Sequence, residues 1–233
     1  MLIDELKNIA RNNGIVGAGG AGFPAYAKMT EKADTVILNC VECEPLLKLH
    51  RQLLATHTEE IIQMLDEVRE SFGAKEAVIG IKSEYVTTIK AIEEVIGDFP
   101  NVRICALKAA YPMGDEVVLI YEATGRVIKP GGLPIDENVV VYNVETMYNL
   151  YRAVHLNIPV TNKLVSIVGE IDHPLTVRVP LGTTVKEAIS LAGKITVEDP
   201  AYVMGGPMMG RLGTENTVIT KTTNAIIILP KDH

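Results

Sequence analysis

Thr35-Val36-Ile37-Leu38-Asn39-Cys40-Val41-Glu42-Cys43-Glu44-Pro45 sets an uninterrupted apolar run against a polar loop that ends in proline. The run at Thr35–Asn39 has the length of a strand and is too short for a helix, so it reads as a buried strand. Downstream, Thr56-His57-Thr58-Glu59 has the pattern of a capping box. Behind it, Ile61, Ile62, Leu65, Val68 and Phe72 fall on one helical face, and Gly73 stops that helix. Ala77–Ile81 is the next strand, followed by a helix through Ile89, Ile92 and Ile96 and a strand at Val102–Leu107. A helix from Asp115 to about Thr124 closes at Gly125, a strand occupies Val139–Tyr142, and a last helix runs from about Glu145 to Leu156. Upstream, Leu2, Ile3, Leu6, Ile9 and Ala10 have helical spacing, ended by Asn12-Asn13-Gly14. Strands alternating with helices imply βαβ units, hence an α/β domain on a parallel sheet.

The pattern changes after Pro159. Val165, Ile167 and Gly169 start a strand, Asp172-His173-Pro174 turns it, and Leu175–Val179 alternates like a half-buried strand. Thr183 or Thr184 caps a short helix through Val185, Ile189 and Leu191 that ends at Gly193. Short strands are expected at Tyr202–Met204, Val218–Thr220 and Ala225–Leu229, which makes this region a small α+β unit. The expected division is residues 1–158 and 159–233.

Composition narrows the function. Apolar residues make up 47% of the 233 and charged residues 22%, the balance of a folded globular chain. Aromatics are only 5% and tryptophan is absent, so base-stacking platforms are not expected. A formal charge of −7 argues against nucleic acid as partner. Three cysteines cannot make a disulfide framework, which fits a reducing, cytoplasmic setting. Asp4 and Glu5 near the N-terminus are wrong for a signal peptide, and no apolar run approaches a membrane span.

Four segments carry candidate chemistry. Gly17-Ala18-Gly19-Gly20-Ala21-Gly22 satisfies G-x-G-x-x-G, but a helix precedes it where a dinucleotide fold needs a strand. Its adjacent glycines let a backbone rich in N–H groups approach phosphate or a flat ring; a tight turn without ligand is the equal alternative. Asn39–Pro45 lies at a strand's C-terminal end, where open α/β sheets bind ligands. Glu42 and Glu44, two apart on a strand end, are expected to face the same side and share a site. Gly114-Asp115-Glu116 and Asn143-Val144-Glu145-Thr146 sit on that same side of the sheet and are also explicable as helix caps. Gly205-Gly206-Pro207-Met208-Met209-Gly210 is a rigid turn whose composition assigns it no role. No metal site is expected: Cys40-x-x-Cys43 has only Cys105 to add, and His50 and His57 lack a third ligand. Hydrolase motifs are missing as well.

Taken together, GIVGAGGAGFPAYAK (14–28), NCVECEPLL (39–47), YPMGDE (111–116), GGLP (131–134) with VVVYNVET (139–146), GGPMMG (205–210) and ITKTTNAIIILPK (219–231) resemble one family in order. The resemblance is to the RnfC and cobalamin-reductase (PduS) group, with the electron-transfer protein PrdC nearby and the flavin-carrying subunit of respiratory complex I further off. It implies a Rossmann-like FMN-binding domain followed by a β-grasp domain of the SLBB type. Gly17, Gly19, Gly20 and Lys28 match the family loop that holds flavin phosphate and approaches the ring. Asn39 and Glu42, then Gly114 and Glu116, then Asn143 match its other flavin-contacting segments, while Phe23 and Glu44 match positions linked to the nicotinamide nucleotide.

The implied activity is electron transfer from NAD(P)H through FMN to an iron–sulfur or corrinoid partner protein, with no side chain required as nucleophile or general base. The different-class alternative is a docking module for a corrinoid or protein partner that has lost flavin. Ala18 and Val41 stand where the complex I relatives have arginine and aspartate, and His50 stands where relatives have aspartate. The family continues into cysteine-rich [4Fe-4S] segments, so such clusters are expected only in a further segment or in a partner. Attachment to a membrane or microcompartment complex would run through partners, and a homodimer is the default assembly.

Overall fold

The computed structural model describes residues 1–232; His233, the last residue of the expected second domain, lies outside the described residues. The chain divides into two units, one built from residues 1–17, 23–43 and 50–159, the other from 18–22, 44–49 and 160–233.

In the first unit β1 (Thr35–Cys40), β2 (Glu76–Lys82), β3 (Val102–Leu107) and β4 (Val139–Asn143) form a sheet of order β3-β2-β1-β4. All three pairings are parallel, with Asn39 opposite Gly80 on one side and Asn143 on the other. Parallel neighbours need crossover connections, and helices supply them. α1 (Ile3–Asn12) precedes the sheet, α2 (Leu49–Thr56) and α3 (Thr58–Phe72) join β1 to β2, and α4 (Val86–Val95) joins β2 to β3. α5 (Glu116–Thr124) joins β3 to β4, and α6 (Val144–Leu156) follows. Val36, Ile37 and Leu38 are fully buried, as a strand covered on both faces requires. The expected face of α3 is buried as well, and Gly73 ends that helix in the left-handed region at φ +67°.

One local expectation fails here. Thr56 does not open α3; its Oγ1 donates to the carbonyls of Gln52 and Leu53 and closes α2. His57, which makes no side-chain cap bond, stands at the start of α3. The capping-box pattern was overridden by an unforeseen helix whose Leu49, Leu53 and Leu54 are buried.

The second unit is a mixed sheet of order β6-β5-β9-β7-β8, from β5 (Asn162–Gly169), β6 (Leu175–Pro180), β7 (Pro200–Met204), β8 (Arg211–Gly213) and β9 (Ala225–Pro230), with one helix, α7 (Val185–Ser190). β5 and β9 run parallel; the other pairs are antiparallel. Thr184 caps α7 through a reciprocal capping box with Glu187. Ile226 and Ile228 of β9 join Val165, Ile167, Val185, Ile189 and Tyr202 in one cluster. Ala225 and Ile227 face the other way and pack with Leu47, as the two-residue period of a strand dictates. Val218–Thr220 is not a strand: Val218 makes one isolated bridge to Thr184. The short strand at Arg211–Gly213 takes the place beside β7 instead. Among the described residues no helix is long and apolar enough to cross a membrane.

Candidate functional site

The C-terminal ends of β1, β3 and β4 carry most of the residues singled out in the first unit. The Asn39 side chain is spent on architecture: Oδ1 accepts from Val41 N at 3.0 Å and Nδ2 donates to the Gly114 carbonyl at 2.9 Å. Gly114 N in turn donates to Cys43 Sγ at 3.0 Å. The loops after β1 and β3 are therefore stitched together around Gly114. A Cβ there would fall 2.3 Å from the Val41 carbonyl oxygen. Asp115 caps α5 by accepting from Val117 N and Val118 N, which leaves Glu116 as the first helical residue. Lys28 closes a short 3-10 turn, Ala25–Lys28. Its Nζ lies 3.3 Å from Glu116 Oε1 and 3.3 Å from the Val141 carbonyl of β4. Both side chains of this pair keep over a third of their surface exposed, 34% and 41%. Such an ion pair is weak, so either partner can be drawn to a ligand at little cost.

Glu42 has the opposite setting. It is buried, with Oε1 accepting from His50 N at 2.8 Å. Oε2 makes no hydrogen bond among the described residues and has Arg51 Nε 3.8 Å away. Burial pushes the carboxyl above its ordinary range; the backbone N–H groups at the start of α2 and the Arg51 and Lys82 charges work against that shift. The Glu42 carbonyl receives Lys82 Nζ at 2.8 Å, and Arg51 lies over the Tyr85 ring at 4.4 Å. Tyr85 is itself pushed up to about 12, by burial first and the Glu42 charge second. Asn143 caps α6, accepting from Glu145 N at 2.9 Å, while its Nδ2 lies 3.3 Å from the His50 ring. Two polar clusters result: Asn39, Gly114 and Cys43 join the loops after β1 and β3, and Glu42, His50 and Asn143 join the start of α2 to the start of α6; Lys28 and Glu116 form a separate pair. Cys40 is fully buried and its thiol is pushed well up by that burial. No group of three or more His, Cys, Asp or Glu among the described residues is arranged to hold a metal.

The glycine segment is divided. Gly17 N donates to the Phe23 carbonyl at 2.8 Å, and Val16 bridges Pro24, so the two ends of the loop are pinned in the first unit. Gly19 and Gly20 between them are exposed and belong to the second unit, and a Cβ at Gly20 would meet open space. Phe23 is half exposed.

Glu44 also belongs to the second unit. Its Oε2 accepts from Met208 N at 2.8 Å and its Oε1 from Met209 N at 2.9 Å. The expected sharing of one site by Glu42 and Glu44 is therefore corrected. β1 ends at Cys40, the alternation rule stops with it, and the two carboxylates take unrelated partners. Sequence reasoning also passed over Arg51 and Lys82. Lys82 closes β2, so applying the strand-end rule to every strand would have found it.

A parallel α/β domain with polar clusters at its strand ends, followed by a small mixed-sheet unit, defines the class of protein. The profile of the Nuo51 FMN-binding domain matches residues 10–152 and that of the SLBB domain residues 164–212, and the chain belongs to the Nuo51 FMN-binding domain family. More particularly, it is 41% identical over 231 residues to the cobalamin reductase PduS of Salmonella typhimurium, covering 99% of this chain and 51% of that protein. It is 32% identical over 235 residues to a component of the Na(+)-translocating ferredoxin:NAD(+) oxidoreductase complex of Acetobacterium woodii, covering 98% of this chain and 53% of that protein. An NAD+-reducing [NiFe]-hydrogenase in its air-oxidized state shares the fold, with a TM-score of 0.79 at 20% identity over 99% of this chain and 47% of that one. The chain spans about half the length of the curated relatives it matches.

Proposed function

We propose that this chain binds FMN and passes electrons from NAD(P)H to an iron–sulfur or corrinoid acceptor held by a further segment or a partner protein. The observation that carries the reading is the set of polar clusters at the strand ends of the first unit, inside the span matched by the flavin-domain profile. The residues fit the group. Lys28 offers an ammonium whose present partner is weakly held, suited to the flavin phosphate. Exposed Gly19 and Gly20 offer backbone N–H groups with no Cβ in the way. Glu116 can accept from ribityl hydroxyls or a ring N–H, and Asn143 can donate once its contact with His50 is exchanged. Asn39, Gly114 and Glu42 act behind these as the frame that fixes the loops. Bound FMN would link a two-electron hydride donor to one-electron acceptors. Phe23 and Glu44 are assigned to the nicotinamide nucleotide. The flavin function is assigned to residues 1–158 and an SLBB-type β-grasp function to 159–233, with the protein working in the cytoplasm and attached to larger assemblies through partners. The flavin-free docking alternative is disfavoured by the 41% identity to a protein named as a reductase.

The test is a visible spectrum of the purified chain with added FMN, then anaerobic NADH. A flavin band that bleaches is the expected result; no flavin binding overturns the reading. Lys28→Ala and Glu116→Ala should each weaken FMN binding about tenfold, the worth of one charged hydrogen bond. Unchanged affinity in both would remove them from the site.

A further inference from the structure

α1 carries a polar stripe that the flavin reading does not use. Leu6 and Ala10 bury one face of the helix. Asp4, Lys7, Asn8 and Arg11 recur every three or four residues and so line up on another. Tyr26, in the 3-10 turn Ala25–Lys28, stands against that stripe, with the Arg11 guanidinium 4.6 Å from its ring centroid. These five residues line a cavity of about 330 Å³ that opens to solvent. The turn is fixed on both sides. Ala25 N donates to the Ile15 carbonyl at 3.1 Å, just past α1, and the buried Tyr142 hydroxyl of β4 donates to the Ala25 carbonyl at 3.4 Å.

The lining selects an anion. Lys7 and Arg11 stand one helical turn apart, about 6 Å along the axis, where like charges repel. In a chain of formal charge −7, no general excess of cations explains such a pair. Asp4, the one carboxylate of the lining, lies 3.7 Å from Lys7 in an exposed ion pair, a weak competitor for an incoming ligand. The Arg11 guanidinium lies over Tyr26, and a stacked guanidinium still offers the N–H donors of its edge. Asn8 and the Tyr26 hydroxyl add neutral donors. The volume falls at the lower end of small-molecule sites and exceeds what a bare phosphate needs.

We propose that this cavity binds a small hydroxyl-bearing phosphomonoester, of the size of a pentose phosphate. The dianionic head bridges Lys7 and Arg11, with the Arg11 fork giving two parallel N–H donors to its oxygens. The hydroxyls of the ligand's body meet Asp4 and Asn8. No residue assigned to flavin or to the nicotinamide nucleotide lines the cavity, so this site stands apart from that reading.

Calorimetric titration of the full chain at low salt tests this, with ribose 5-phosphate as the probe and ribose as the uncharged control. Saturable binding of ribose 5-phosphate at one site, and none of ribose, is the expected result. Arg11→Met and Lys7→Met keep the apolar length of each side chain and should each weaken binding about tenfold, the worth of one charged hydrogen bond. Lys90→Met removes an exposed charge from α4 and should leave the affinity unaltered. FMN binding, read from the visible spectrum, should match the parent in both cavity variants, with thermal unfolding confirming that each is folded. No saturable binding would overturn the proposal. So would affinity retained in both cavity variants, which would place the probe at the flavin phosphate site, or an equal loss in Lys90→Met, which would make the attraction diffuse. Loss of FMN binding together with the probe in folded cavity variants would overturn it as well, by making the cavity part of the flavin site. A parent chain that takes ribose 5-phosphate but no FMN would sink the flavin reading alone.

Discussion

Gly114 and Gly206 mark the two regions of this molecule, and they are glycines for different reasons. At Gly114 a side chain would strike the Val41 carbonyl oxygen at 2.3 Å and Cys43 Sγ at 2.8 Å. At Gly206 the three atoms nearest a Cβ all belong to the Glu44 side chain. The first obstruction is the backbone of Val41, the residue directly after β1, pinned by its N–H to Asn39; the second is the end of a flexible carboxylate and can swing away. A glycine that the fold requires should be costly to replace in stability, and a glycine that serves one side chain should be costly mainly in function.

The comparison breaks first at Gly114→Ala. Overpacking against backbone should cost about 2–3 kcal/mol in denaturant unfolding and weaken flavin binding; an unchanged midpoint would show that the two loops are loosely joined. Capping provides the next contrast, between α5 under Asp115 and α7 under Thr184. Asp115→Ala should cost about 1 kcal/mol and Thr184→Ala a similar amount or less, both read by thermal unfolding; equal stability of Asp115→Ala and the parent would deny Asp115 a capping role. Gly206→Ala should cost less than about 1 kcal/mol, and Glu44→Ala in the same chain should recover it. A larger, unrecovered loss would place Gly206 in Gly114's class.

The smallest effect concerns Glu42. Because burial raises its carboxyl above the ordinary 4.5, the folded chain holds that proton more tightly than the unfolded chain. Stability therefore falls as pH rises through the interval above 4.5, and levels off once Glu42 is ionised in both states. Glu42→Gln keeps an acceptor for His50 N and removes the titration, so its urea midpoint should decline less over that interval. Parallel curves for the two proteins would show that Glu42 titrates normally.

The parallel sheet was legible because its signals are local: the apolar run at Val36–Leu38, the Gly73 and Gly125 helix stops, the Asp115 cap. α2 was not, since three leucines among Lys48, His50, Arg51 and Gln52 look like loop until tertiary burial selects them. Val218–Thr220 had strand composition, but the place beside β7 went to Arg211–Gly213 through a turn that ties Met204 to Arg211, and composition does not reveal pairing. The sequence placed Asn39, Glu42 and Asn143 at or just past strand ends and Gly114 at a helix start, where they lie. It did not show that Asn39 would be consumed in holding two loops, or that Glu42 would be buried under α2. Those outcomes depend on partners 75 and 8 residues away in the chain.

Leu47 packs with Ala225 and Ile227, although more than a hundred and seventy residues of the chain separate it from them. A gene fragment encoding only the C-terminal third would lack the leucine that covers one face of its own central strand. This β-grasp unit is therefore not a cassette that recombination can lift out and graft elsewhere. It travels with the β1 loop or leaves one face of β9 uncovered.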